Sequence, residues 1–247
     1  MILHTANIRR LKLMQPTETA YMLAEGQRLA DRTWTPLHRV SSSVLWVFLY
    51  GEDRFFQMHK GVTLAGLTRS WRAITQSERY IWPGGSSISM QLARNLYLSP
   101  DKTFSRKAQE IGLAIQMEML LSKARIYELY LHTIEMGPGI WGIGEGSQHY
   151  CLKLASTVNI AEAIMMACLL GAPKKPCTGG NLCRIHAKYW QIAGALWRNR
   201  LLDKQQFLRL NVLGSLILER LRSTSSVVYA LQVCHDETAL EINRTPF

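Results

Sequence analysis

The chain has 247 residues, 47% of them hydrophobic and 19% charged, enough to bury a real core in one sizeable domain or two small ones. Its 29 Lys and Arg against 18 Asp and Glu leave a net charge of +11, which points to an anionic partner: nucleic acid, anionic lipid or a phosphorylated substrate. Five scattered cysteines (Cys151, Cys168, Cys177, Cys183 and Cys234) lack CxxC spacing, which argues against a zinc site and a disulfide framework, and no apolar run reaches the roughly 18 residues of a spanning helix.

Residues 1–40 are mixed and polar, lack the features of a signal peptide, and read as an N-terminal leader with no transmembrane helix, its one helix capped by Thr17 or Thr19. "SSSVLWVFLY" then predicts a buried helix entered through a serine cap, although its length and β-branching leave a strand open. "GEDRFFQMHKG", residues 51–61, follows directly. Leu64, Leu67, Trp71 and Ile74 repeat at helical spacing. Pro83, Gly84 and Gly85 break that pattern, and Ser86 or Ser87 caps a helix through "ISMQLARNLYL". The longest periodic segment, 104–132, reads as one long helix of good helix formers. After the glycine-rich "GPGIWGIGEG" comes an apolar helix, "NIAEAIMMACLLGAP", ended by Pro173, and residues 184–222 read as one or two basic amphipathic helices. Strand signals are scarce, so the fold class is mainly α.

Several residues in this framework are equipped for chemistry. Glu52 and Asp53 stand side by side at the edge of apolar surface. A solvated turn would carry such a pair without consequence, whereas a carboxylate pressed against apolar neighbours holds its proton more tightly and so suits general-base work. Asp53 reads as a capping or orienting residue beside Glu52. At about 100° per residue, Glu110 lies in line with Ala114, Met117, Leu121 and Ala124, so a carboxylate occupies an apolar stripe. The alternative is a solvated Arg106–Glu110 ion pair worth about 0.3 kcal/mol. Arg106 and Lys107 stand at a helix start, where the macrodipole favours acids; they are plain surface charge or they await an anion. "GGSSISMQLARN" combines two glycines with a fresh helix N-terminus, a setting for a phosphate, and places Gln91, Arg94 and Asn95 on one face. It matches neither the Walker nor the dinucleotide fingerprint. His59, near Phe55 and Phe56, reads as a structural hydrogen bonder.

Taken in order, these pieces resemble the peptidoglycan glycosyltransferase family, the lipid II polymerases found as monofunctional transglycosylases and within class A penicillin-binding proteins. The first family motif is matched by Glu52, Asp53, Phe56, His59 and Gly61, and the second in part by "GSSISMQLARNLYL". The third is matched by Arg106, Lys107, Glu110, Glu118, Lys123, Ile126, Glu128, Tyr130 and Leu131, and "GPGIWGI" and "LLGAPKKP" resemble later segments. The similarity spans about residues 40–176, so the resemblance divides the chain into the leader, a glycosyltransferase domain at 41–176 and a helical tail at 177–247.

The resemblance implies a lysozyme-like helical domain with a smaller membrane-contacting lobe. It implies Glu52 as the base that deprotonates the sugar 4-hydroxyl of lipid II, for attack on the anomeric carbon with inversion. The leaving lipid pyrophosphate would be met by Arg94, Arg106 and Lys107, with Glu110 orienting these cations or holding a divalent metal, Mg or Mn, and no organic cofactor. Asp53, His59, Ser86, Ser87, Gln91, Asn95 and Glu128 would complete the substrate-binding set. The implied partners are lipid II, the nascent glycan strand, the membrane surface and other cell-wall synthesis proteins, not nucleic acid. The implied place is the outer, periplasmic face of the bacterial inner membrane, peripherally attached. The chain departs from the family at Met90 (usually Gln), Arg94 (usually Lys) and His132 (usually Asn), and in lacking a visible N-terminal anchor. Two other readings stay open: a lysozyme-like hydrolase or lytic transglycosylase, which needs no pyrophosphate-binding cations, and a catalytically impaired cell-wall scaffold.

Overall fold

The computed structural model describes residues 7–27, 32, 34–63, 66, 68, 86–101, 103–234, 240–242 and 244–247. The helix expected around Leu64, Leu67, Trp71 and Ile74 and the loop at Pro83, Gly84 and Gly85 lie outside the described residues. The helices are α1 (Ala20–Ala24), α2 (Ser42–Glu52), α3 (Ile88–Tyr97), α4 (Phe104–Leu120), α5 (Lys123–Thr133), α6 (Gly142–Cys151), α7 (Ile160–Leu169), α8 (Gly179–Arg198), α9 (Lys204–Thr224) and α10 (Val227–Leu231). Among the described residues the one sheet is an antiparallel pair, β1 (Glu135–Gly137) with β2 (Ile140–Trp141). The mainly α class expected from the sequence is what the chain adopts. Two compact units divide it: Met1–Thr33 with Glu52–Ile134, and Trp34–Gly51 with Glu135–Phe247.

In the first unit, α3 packs against α1, α4 and α5. Each of these four helices starts at a hydroxyl residue whose side chain accepts the backbone N–H three residues on: Thr19 from Met22, Ser87 from Met90, Thr103 from Arg106 and Ser122 from Arg125. Such caps fix where helices begin, and Ser122 explains a difference from expectation. Residues 104–132 form two helices rather than one, because Leu121 turns extended (φ −117°, ψ 151°) and Ser122 starts α5 afresh. Ile88, Leu92, Ala114, Met117, Ile126, Tyr127, Leu129 and Tyr130 fill the core. The stretch read as a leader adds to that core: Ile8, Leu11 and Met22 are buried, and Arg125 donates to the carbonyls of Leu11 (2.7 Å) and Met14 (2.8 Å).

The second unit is built around α7, whose ten residues are all buried. Asn159 caps it in a reciprocal box with Glu162, and the buried Glu162 carboxylate also takes Lys153 at 2.9 Å. Helices α6, α8 and α9 pack on α7. "SSSVLWVFLY" resolves as helix, with Ser43, Val44, Leu45, Val47, Phe48 and Leu49 buried. The glycine-rich run becomes the β1–β2 turn and the start of α6. All five cysteines are free thiols, Cys183 alone of them exposed. No helix among the described residues is long and apolar enough to cross a membrane.

Candidate active site

The segment 52–61 is fastened within the first unit at several points, most of them polar groups meeting a partner that the helices present. Asp53 Oδ2 accepts the backbone N–H of Ile88 at 3.1 Å, relieving one of the unpaired donors at the start of α3, and lies 2.9 Å from His59 Nε2. Phe56, fully buried, packs its ring 6.0 Å from that of Tyr127. Ser87 donates its hydroxyl to the carbonyl of Gly61. Gly61 itself has φ +92°, and a Cβ there would stand 3.0 Å from the backbone of Ala114, so only glycine lets the chain pass this close to α4. Lys123 Nζ binds the carbonyl of His59 and Glu118 Oε1, both at 2.7 Å, and sits 4.2 Å from the centre of the Phe56 ring. Glu118 also accepts from the Ser89 hydroxyl.

On this base stands a continuous run of polar contacts. Glu52, the last residue of α2, accepts Gln91 Nε2 on its Oε2 at 3.1 Å. Gln91 Nε2 also reaches the Ser86 carbonyl at 3.3 Å, and the Tyr130 hydroxyl points at Gln91 Oε1 at 3.5 Å. The Tyr130 phenol is held protonated well above its ordinary range, by burial first and by the Glu52 carboxylate second. From Ser86 the run continues: its hydroxyl accepts Lys107 Nζ at 2.8 Å, Lys107 donates to Glu110 Oε1 at 2.7 Å, and Arg106 donates to Glu110 Oε2 at 2.7 Å. Glu110 has no exposed surface, and Arg106 and Lys107 are buried with it. Burial lowers the Lys107 pKa, Glu110 holds it up, and the charges of Arg94 and Arg106 push it down, which marks Arg94 as part of the same electrostatic cluster. Arg94 holds its guanidinium 5.7 Å from the Tyr21 ring, and its Nε finds no hydrogen-bond partner among the described residues.

The chain matches the family model described as Transglycosylase over residues 19–191. It belongs to the transglycosylase family. It is 33% identical over 172 residues to a biosynthetic peptidoglycan transglycosylase of Cupriavidus metallidurans, covering 66% of this chain and 73% of that protein. Proteins of the same name from Thiobacillus denitrificans and an Azoarcus species are 36% identical over 167 residues (64% of this chain, 72% of theirs) and 39% identical over 170 (65% and 72%). The transglycosylase match runs beyond the 41–176 stretch at both ends, from the cap of α1 into α8.

Within this candidate site, Glu52, Ser86, Gln91, Arg106, Lys107 and Glu110 form one bonded run, with Arg94 coupled to it through charge. Asp53 and Ser87 bind the backbone of α3 and of Gly61, and His59 meets the Asp53 carboxylate. Two residues are turned elsewhere. Asn95 is buried and gives its amide to the Thr133 carbonyl at 3.2 Å, tying α3 to α5, and Glu128 pairs with Arg125, the residue that anchors the N-terminal stretch. Between the two roles left open for Glu110, the geometry favours orienting cations. Both its oxygens already face positive groups, a setting hostile to a metal ion, and no cluster of three or more His, Cys, Asp or Glu among the described residues could hold one. Among the described residues, Glu110 with both oxygens engaged by cations therefore does not fit a protein-held Mg or Mn. Sequence reasoning assigned no role to Ser89, Glu118 and Lys123. Glu118 and Lys123 are five apart, a spacing that pairs side chains only because the helix breaks at Leu121, so helical periodicity hides them.

Proposed function

We propose that this chain is a peptidoglycan glycosyltransferase that extends glycan strands from lipid II, with inversion at the anomeric carbon and release of undecaprenyl pyrophosphate. The observation that carries this reading is the unbroken run from the Glu52 carboxylate through Gln91 and Ser86 to Lys107, Glu110 and Arg106. It puts a proton acceptor and buried cations in one polar network. Gln91 fixes one oxygen of Glu52, so the carboxylate is oriented before the sugar arrives. Glu52 takes the proton from the 4-hydroxyl, the hydroxyl oxygen forms the new bond to the anomeric carbon, and the bond to the pyrophosphate breaks with its electron pair leaving on phosphate oxygen. Arg94, Arg106 and Lys107 stabilise that charge, and Glu110 keeps two of them paired and aligned. No step passes through a protein-held metal.

In this reading the substrates are lipid II and the nascent strand, and the enzyme works peripherally on the outer, periplasmic face of the bacterial inner membrane beside other cell-wall synthesis proteins. Labelled lipid II in detergent with a divalent cation, resolved on a gel, tests it. A ladder of glycan strands is expected. Release of muropeptides from polymeric peptidoglycan without chain growth would replace it with the hydrolase reading.

A further inference from the structure

Helix α9 has an outward face that the transglycosylase chemistry does not use. Leu208, Val212 and Leu216 are 55%, 63% and 43% exposed, and they follow one another at intervals of four residues, one turn apart. Placing Val212 at the centre of the face, at about 100° per residue, Leu208 and Leu216 fall about 40° to either side. Lys204 and Arg222 fall about 80° to one side, and Arg209 and Arg220 about 60–80° to the other. An aliphatic stripe thus runs between two basic edges. Tyr229, 47% exposed, lies under the Arg220 guanidinium at 5.4 Å and adds an amphipathic ring to one edge. Glu219 is the one acid on this face, near its C-terminal end.

We propose that this face of α9 is a docking surface for an anionic lipid bilayer, the aliphatic stripe entering the boundary between headgroups and acyl chains while the basic edges meet lipid phosphates. The pattern of an apolar stripe flanked on both sides by Lys and Arg is what an interfacial helix requires, and the net charge of +11 favours the same partner. A second copy of the chain suits the face less well. Stripe against stripe would bring basic edges against basic edges, and three aliphatic side chains fall far short of the roughly 800 Å² per partner of a stable interface. The inference rests on the proposed lipid-linked substrate, which gives the chain reason to sit on a membrane; none of the helices described crosses one.

The test is co-sedimentation of the full chain with phosphatidylcholine vesicles, with and without phosphatidylglycerol, alongside lipid II polymerisation in detergent. Binding is expected to phosphatidylglycerol vesicles and to weaken with salt. The combined Leu208→Ser, Val212→Ser and Leu216→Ser variant should lose vesicle partitioning by about tenfold or more, and the single Val212→Asp variant should lose most of it. Both should keep wild-type thermal unfolding and wild-type polymerisation in detergent. Replacing Lys204, Arg209 and Arg222 by Gln should remove only the preference for phosphatidylglycerol. Partitioning equal to wild type in the triple-serine variant overturns the proposal, and so does a variant that loses self-association or a protein partner while its vesicle binding persists. Absence of polymerisation by the wild type in detergent, with vesicle binding still dependent on α9, defeats the catalytic reading and leaves this one standing.

Discussion

Replacing Glu110 by Gln removes one negative charge and almost no volume, and it leaves Arg106 and Lys107 facing each other with no carboxylate between them. Glu110 is fully buried, and the side chains of its two partners are only 10% and 8% exposed, so solvent cannot take over its role. Breaking a buried ion pair from one side costs about 4 kcal/mol, which for a chain of this size is a fall in Tm of about 10 °C. Lys107 reports the same loss in its titration. Its folded pKa lies below 10.5, burial being the larger cause and Glu110 the opposing one. Between the folded value and 10.5 the folded chain binds fewer protons than the unfolded one, so this group's contribution to stability rises with pH through that window. Without Glu110 the folded pKa drops further and the window widens downward. Activity that needs a charged Lys107 must therefore lose its alkaline limb at lower pH than in the wild type. Calorimetry and a pH profile of lipid II polymerisation read both effects. Replacing Arg106, Lys107 and Glu110 together by Met should recover much of the stability and none of the activity, because apolar groups need no compensation there. A Glu110→Gln protein with wild-type Tm and an unmoved alkaline limb would refute the reasoning.

Gly61→Ala should cost about 3 kcal/mol in urea denaturation, since φ is +92° and the new Cβ meets the Ala114 backbone at 3.0 Å. Lys123→Met should cost a similar amount, about 3 kcal/mol, by leaving Glu118, 3% exposed, without its cation; equal stability of variant and wild type would show that the pair is idle. Arg94→Met should behave in the opposite manner, lowering kcat/KM for lipid II about 100-fold with little change in Tm, because Arg94 makes no ion pair among the described residues and in the proposed mechanism meets the charge that the substrate brings.

The sequence made some of this legible because local rules act alone there. Ser87 and Thr19 cap where capping chemistry places them, and of the two readings that the angular position of Glu110 on an apolar stripe left open, its carboxylate is the buried one. The pairing of Glu110 with both Arg106 and Lys107 merges the two readings that spacing left open: an ion pair exists, but in the core and not on a solvated face. What stayed hidden depends on tertiary contacts. Nothing in the spacing announces that Asp53 will cap a helix 35 residues away, that Asn95 will bind a carbonyl of α5, or that Leu121 will interrupt a run of good helix formers. Residues 7–14 read as polar leader because their apolar positions are interspersed with Arg9, Arg10 and Lys12, yet Ile8 and Leu11 are buried.

The central claim is that the carboxylate of Glu52, held by Gln91, accepts the proton of the attacking hydroxyl. Glu52→Gln, which keeps the size of the side chain, tests it most directly when glycan polymerisation from labelled lipid II is measured beside thermal unfolding. The account predicts loss of polymerisation by about 1,000-fold or more with Tm unchanged. Glycan strands made at the wild-type rate by that variant would contradict it.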